Sequence, residues 1–548
     1  MHFEAESCKL EIMRSIFLFL SIVALGQGQT ISGERIRAHV KFLSNDLLEG
    51  RGVAVRGGDI ATEYIATQFA LAGAKPAGED GTYFQKVPLV GVQTTPESKL
   101  SAVAGGKDAS FRWLDDFVGV DRRQQPTGDF DAEAVFVGHG ITAPEFQWDD
   151  FKGVDVKGKI LVQFTNEPSS TDPKFFGGRA LTYYGRWSYK YEEALRRGAL
   201  GSIIIHTTPT AGYGWEVVRN SWGREEPYVK LAPGEAELGL AGWLTQDAGG
   251  KLLALAGKTV DELLSAAESR DFRPIPLGIR IHGAMRSQVR EMNTKNVAAI
   301  VPGSDPQAGK EAVIFSAHWD HLGVGTPVNS DAIYNGAVDN ATGCGILLEL
   351  ARAWAALPHK PRRSAVFLAV TAEEGGLRGS EYYAQHPLIP PASTVVALNY
   401  DGLQPVGRAT EVVVSGAERT TLWPLVQDTA KRFGLTIKPD PRPEQGSYYR
   451  SDHFSFAHAG IPSFSIDEGE EFAGKPPSYG AEIFKEFNEK HYHQPSDEYK
   501  DSWDFSGLEE MAKFGFTLGT DAANMRQMPT WNKGDEFLPA REKSLRAR

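Results

Sequence analysis

Apolar residues recur at helical spacing over residues 34–47 and 59–71, which predicts two helices near the N-terminus with a glycine-rich basic turn, Glu49-Gly50-Arg51, between them. From Thr127 the pattern shortens. Residues 134–137, 159–163 and 201–205 read as strands, with a helix predicted over 191–197. At residues 296–301 a longer alternation begins. Strands are predicted at 312–317, 364–370, 394–398 and 462–466, and helices at 345–356 and 422–433. Strands alternating with helices predict an α/β fold, a mainly parallel mixed sheet flanked by helices, with a β-rich insertion ahead of its C-terminal half.

The length of 548 residues exceeds one ordinary core, so two or three packed units are expected. Apolar residues make up 41% and charged residues 23%, a soluble globular balance, and the net charge of −12 argues against nucleic acid as a partner. Residues 16–25, IFLFLSIVAL, follow Arg14 and precede Gly26, which predicts a cleaved export signal within residues 1–29 and an exported protein, periplasmic or extracellular. The run is too short for a good membrane span, so stable membrane insertion is not expected. Glu4, Glu6 and Glu11 are unusual ahead of such a signal, and Met13 is an alternative start. Removal of Cys8 with the signal would leave Cys344 alone, so no internal disulfide is expected.

The candidate chemistry lies where apolar runs end. His318-Trp319-Asp320 follows one predicted strand, Glu373-Glu374 another and Asp401 a third, with Asp339-Asn340 and His493 nearby in the order of the chain. Ligands in an open α/β sheet collect outside the carboxyl ends of its strands. One such residue means little, but three strand ends carrying metal-ligand types point to a metal centre. Ser451-Asp452-His453 is not a serine triad, because consecutive residues do not align nucleophile, base and carboxylate, and no G-x-S-x-G elbow accompanies them. Asn340-Ala341-Thr342 spells a glycosylation sequon inside the same motif, where a sugar would block the site.

The stretches 317–323 (AHWDHLG), 334–343 (YNGAVDNATG), 371–380 (TAEEGGLRGS), 399–402 (NYDG), 451–453 (SDH) and 492–497 (YHQPSD) together resemble the M28 family of zinc exopeptidases. The resemblance implies the zinc exopeptidase fold and two Zn2+ ions. It assigns His318 and Asp401 to one zinc, Glu374 and His493 to the other, and Asp339 to both. Cations about 3.5–4 Å apart need such a shared anion. By the same resemblance Glu373 is the general base, Asp320 holds His318 in one tautomer, and Tyr448, or its neighbour Tyr449, donates to the oxyanion. His321, His453 and His491 are competing imidazoles expected to be structural, and Cys344 is expected to pack.

Residues 127–290 resemble a protease-associated (PA) domain through GHGI at 138–141, FKGVDVKGKI at 151–160 and ALRRGALGSII at 194–204. The implied organisation is a signal at 1–29, an N-terminal peptidase part at 30–126, the PA-like insertion at 127–290 and the catalytic domain at 291–548. The aromatics Tyr183, Tyr184, Trp187, Tyr189 and Tyr191 could line the peptidase cleft, but are expected rather to pack within the insertion or against the catalytic domain. The implied function is an aminopeptidase acting on peptide substrates; the acidic run at 467–471 could favour an α-ammonium, although a solvated acidic loop is the expected reading of such a run. A carboxypeptidase would need cationic clamps, for which Arg378, Arg408 and Arg450 are candidates. Glutaminyl cyclisation on one zinc and a receptor-like peptide-binding protein without catalysis are further alternatives. The sequence assigns no oligomeric state.

Overall fold

The computed structural model describes residues 31–211 and 214–547, so the expected signal at 1–29 lies outside the described residues. Helices α1 (Gly33–Leu43) and α2 (Arg56–Leu71) come first, their buried faces set by Ile36, Val40 and Leu43 and by Ala61, Ile65 and Phe69. The expected extension of α1 to residue 47 gives way to a tight helical turn over Asp46–Arg51, where Glu49 and Gly50 leave helical geometry with φ of 49° and 66°. Gly50 is required there: an added Cβ would lie 2.4 Å from the Tyr334 carbonyl oxygen.

Strands β1 (Phe84–Thr94), β2 (Lys99–Ala104) and β3 (Phe117–Val120) lead into a middle unit. Its sheet runs β4 (Thr127–Phe136), β5 (Ile160–Phe164), β6 (Gly201–Ile205) and β7 (Leu240–Leu244) in parallel, with β3 antiparallel at the edge. Every residue of β5, β6 and β7 is buried, which explains why Gln163 and Ser202 are the polar exceptions in otherwise apolar strands. Helix α3 (Trp187–Arg196) packs on β6.

The two sheets are joined by one strand. β8 (Ile275–Val301) spans 27 residues, pairing antiparallel with β2 and β4 at its start, with β1 through its middle, and with β10 (Ser364–Val370) at its end. Residue 290, where the sequence pattern changes, lies inside β8 rather than in a linker. Beyond it β10, β9 (Ala312–His318), β11 (Thr394–Asn399) and β13 (Ser463–Ser465) lie side by side in parallel. Strands β12 (Glu411–Val413) and β14 (Asp467–Glu468) form a small antiparallel pair beside them.

Helix α4 (Thr342–Ala355) packs against β9 and β10 and is covered in turn by α1, α2 and α7 (Ser506–Asn524). Helices α5 (Trp423–Phe433) and α6 (Tyr479–Lys490) complete this half. The core combines Phe315, Phe367, Trp354 and Ile346 with Ile36, Ile65 and Phe514, so the N-terminal helices belong to the same packing unit as the C-terminal half. Among the described residues no helix is long and apolar enough to cross a membrane.

Candidate metal centre

Parallel strands end together, and their last residues therefore meet. β9 ends at His318; β10 ends at Val370, three residues before Glu373; β11 ends at Asn399, two before Asp401. After β10 the chain reverses through Ala372, whose φ of 52° lies in the sparsely populated left-handed region. The Glu373 N–H then donates to Asp320 Oδ1 at 3.1 Å, anchoring the Glu-Glu pair to the β9 loop. Asp339 sits in the irregular turn leading into α4, joined to Asn340 by a cis peptide bond.

These side chains form two lobes around one carboxylate. In the first, His318 Nε2 lies 3.2 Å from Asp339 Oδ1 and 3.1 Å from Asp401 Oδ1. In the second, His493 Nε2 lies 3.0 Å from Glu374 Oε2 and 3.5 Å from Asp339 Oδ2. Asp339 thus offers one oxygen to each lobe. His321 Nδ1 also reaches Glu374, at 2.6 Å from Oε1, so the second lobe holds two imidazoles where one was expected.

The electrostatics show a cluster in need of positive charge. Burial alone would lower the His318 imidazole, but the Asp401 and Glu373 carboxylates outweigh it and hold the ring well above its ordinary range. Burial likewise opposes protonation of His493, yet Glu374 and Asp339 carry it up to about 10. Asp339 is held well below the usual carboxylate range, against its burial, by His318 and His493. Glu373 moves the other way: burial and the neighbouring charges of Asp401 and Glu374 raise it. Carboxylates and imidazoles with no thiolate are the donor set of hydrolytic zinc, and a shared carboxylate between two nitrogen-oxygen lobes fits such ions.

The remaining expected residues are distributed as follows. His318 Nδ1 lies 3.1 Å from the Asp320 backbone carbonyl and 3.9 Å from its carboxylate. Only an Nδ1–H can face a carbonyl, so the peptide oxygen fixes the tautomer and leaves Nε2 to accept a cation. The Tyr448 hydroxyl donates to the Ser463 carbonyl at 3.0 Å, although the ring lines the cavity beside Asp401. Tyr449 donates to Glu536 on the far side. Cys344 is buried, its thiol pushed up to about 12 by burial and donating to the His318 carbonyl. His491 contacts Ser496 instead of the acidic set. Of the five middle-unit aromatics none lines the cavity; Tyr183 packs on Phe454 and Tyr449 across the junction of the two halves.

The sequence reading missed the residues that hold the ligands in place. Asp497 accepts the backbone N–H groups of Val338, at 3.0 Å, and Asp339, at 3.1 Å. A relay from Ser316 through Asn399 and Ser451 ends on Asp401 Oδ2, the last bond being 2.6 Å. Arg51, fully buried, donates to the carbonyls of Leu43, Trp319, Asn335 and Gly336, tying the N-terminal turn to both ligand loops. Tyr492 stacks on His493 with ring centroids 3.8 Å apart. Asp497 and Ser451 lie within the quoted stretches, but the bonds they make join segments far apart in the chain.

Residues 296–515, which contain every one of these ligands, match the family model of peptidase family M28. The chain carries an M28 peptidase domain. Among curated proteins, vacuolar membrane proteases of Penicillium rubens and Ajellomyces dermatitidis are 35% and 31% identical over 119 and 132 residues. Those matches cover 22% and 24% of this chain, and only 11% and 12% of the relatives, so the chain spans about a tenth of the length of the curated relatives it matches. Their name overturns the expectation of a periplasmic or extracellular protein, since it points to a vacuolar membrane and away from export. Among solved structures, an aminopeptidase from Aneurinibacillus sp. strain AM-1 is 20% identical with a TM-score of 0.49, covering 93% of this chain and 98% of that one. A zinc aminopeptidase from Bacillus subtilis is 16% identical with a TM-score of 0.42 over the same shares.

Proposed function

We propose that the M28 domain makes this chain a di-zinc aminopeptidase that removes N-terminal residues from peptides. The observation that carries the reading is the pair of lobes sharing Asp339, set beside Glu373 at the end of a cavity of about 650 Å³. His318, Asp339 and Asp401 would hold one ion; Asp339, Glu374 and His493 the other, with His321 orienting Glu374. Bound zinc lowers the pKa of a coordinated water and polarises a carbonyl. Glu373, which lines the cavity, takes the proton of the attacking water and returns it to the departing amine. Asp497 and the Ser316–Asn399–Ser451 relay keep the carboxylates at their stations. The middle unit is read as a PA-like module over residues 127–290.

Arg450 favours a second reading. Arg378 and Arg408 are engaged, by the Pro227 carbonyl with Glu381 and by Glu510, whereas Arg450 lines the cavity with no carboxylate in ion-pair range among the described residues. It could clamp an α-carboxylate, as a carboxypeptidase requires. Mass spectrometry of peptides blocked at either end separates the two. Chelator-sensitive loss of N-terminal residues from peptides with free N-termini is the expected result; trimming from free C-termini would replace this reading with the second.

A further inference from the structure

Beyond the metal ligands, the cavity has a wall whose charge the proposed reaction does not use. β14 places Asp467 and Glu468 there, against β12 and next to the loop that follows Asp401. Asp467 accepts from Ser465 Oγ at 2.6 Å, and Glu468, only 8% exposed, accepts from the Gln404 N–H at 2.6 Å. A carboxylate has about four acceptor positions, so these bonds leave capacity on both. Among the described residues no lysine or arginine stands in ion-pair range of either, and the nearby Lys438 is taken by Glu411 at 2.8 Å. Burial raises Asp467 up to about 7 and Glu468 up to about 8.

A separate observation points to a ligand in the same cavity. His453 lines the cavity and is 2% exposed; the Tyr448 backbone lies against one ring nitrogen, and among the described residues no protein group satisfies the other. Its ring stands edge-on to Tyr448 at 4.7 Å. Buried polar groups are ordinarily paired, and a histidine with an unsatisfied nitrogen, in a cavity also lined by two carboxyls without a cation, marks a place prepared for a polar, positively charged guest. The cavity is of ordinary size for a small ligand.

We infer that this wall receives the cationic side chain of a substrate whose N-terminal residue is lysine or arginine, with Asp467 and Glu468 as the charge partners and His453 as a polar contact. The inference rests on the aminopeptidase reading. An ammonium could also reach the wall as the substrate's α-amine, and the test separates the two sources. Binding of leucine amide, lysine amide and Nα-acetyl-lysine amide to zinc-loaded Glu373→Gln protein is measured by calorimetry, with Asp467→Asn added in a second protein.

Lysine amide is expected to bind roughly tenfold more tightly than leucine amide, in line with a charge-assisted hydrogen bond. That ratio is expected to fall towards one with Asp467→Asn, and Nα-acetyl-lysine amide is expected to bind through its side chain alone. Equal affinity for the two free amides overturns the inference and leaves the aminopeptidase reading standing. So does an Asp467→Asn protein that weakens both amides alike, since the carboxyl would then read the α-amine. If neither free amide binds, both fall together. The comparison of the free amides needs no second substitution, so it stands even where the double variant fails to fold.

Discussion

Among the described residues the molecule holds two sheets with parallel centres, and the strand ends of one bring imidazoles and carboxylates together. His139, Glu167 and His206 follow β4, β5 and β6 much as His318, Glu373 and Asp401 follow β9, β10 and β11. The residue types are alike. In the middle unit, however, each group is answered locally: His139 faces Glu268 at 3.1 Å and the Thr165 carbonyl at 3.3 Å, Glu167 accepts both the N–H and the hydroxyl of Thr182, and His206 packs between Trp215 and Trp243. In the M28 domain His318 turns towards Asp401 and Asp339, and Asp339 is shared with His493. A polar strand end is therefore not a site until its partners are other strand ends.

That difference can be broken from either side. Substituting Glu373→Gln is expected to lower peptide hydrolysis about 10²–10⁴-fold, the usual weight of a general base, while zinc content and thermal midpoint stay as they were. Undiminished turnover in that variant would remove Glu373 from the reaction. The matching test in the middle unit is Lys190→Met. Lys190 is wholly buried among Asp150, Glu167 and Glu193, donates to the Asn166 and Tyr184 carbonyls, and is lowered to about 7 by burial. Removing one member of such a set leaves buried charge uncompensated, so a loss of about 3–5 kcal/mol in urea unfolding is expected, with turnover per folded molecule retained. A variant that unfolds at the wild-type urea concentration would show the network to be slack.

A smaller effect is expected at the supports of the ligands. Asp497→Asn should weaken zinc binding about 10–100-fold in a chelator competition, because the amides of Val338 and Asp339 lose charge from their acceptor. Affinity equal to wild type would mean that the α4 turn holds itself. The smallest lies outside both sets of strand ends, at His39, which contacts the Tyr64 hydroxyl at 2.9 Å and is lowered by burial from 6.5 to about 4. The unfolded chain binds the proton first, so stability is full above pH 6.5 and declines as the pH falls towards 4. His39→Gln should flatten that slope in unfolding curves taken across the window; an unchanged slope would assign the acid sensitivity elsewhere.

The pattern of apolar residues located most of the M28 half, because buried parallel strands such as β9 and β10 are continuous apolar runs flanked by turn residues. It placed 364–370 and 201–205 at their observed ends. It failed at β8, where mixed exposure over residues 275–295 gives way to burial from Asn296, so that only the buried end, 296–301, was legible. Motifs at strand ends were legible for the same reason as the strands. The supports were not: Arg51 reaches four carbonyls, of Leu43, Trp319, Asn335 and Gly336, and backbone acceptors leave no mark in a sequence. Tyr448 shows the reverse error, since a motif gives the residue and not the direction of its hydroxyl.

β8 also governs how the halves can move. At about 3.3 Å per residue its 27 residues trace a contour of about 90 Å, hydrogen-bonded into one sheet at one end and into the other at the far end. Two bodies stitched to the same ribbon have no free swivel between them. Any opening over the cavity must be taken up as torsion along that ribbon, and a tug on the middle unit is felt as shear in the register of the strand beside β10.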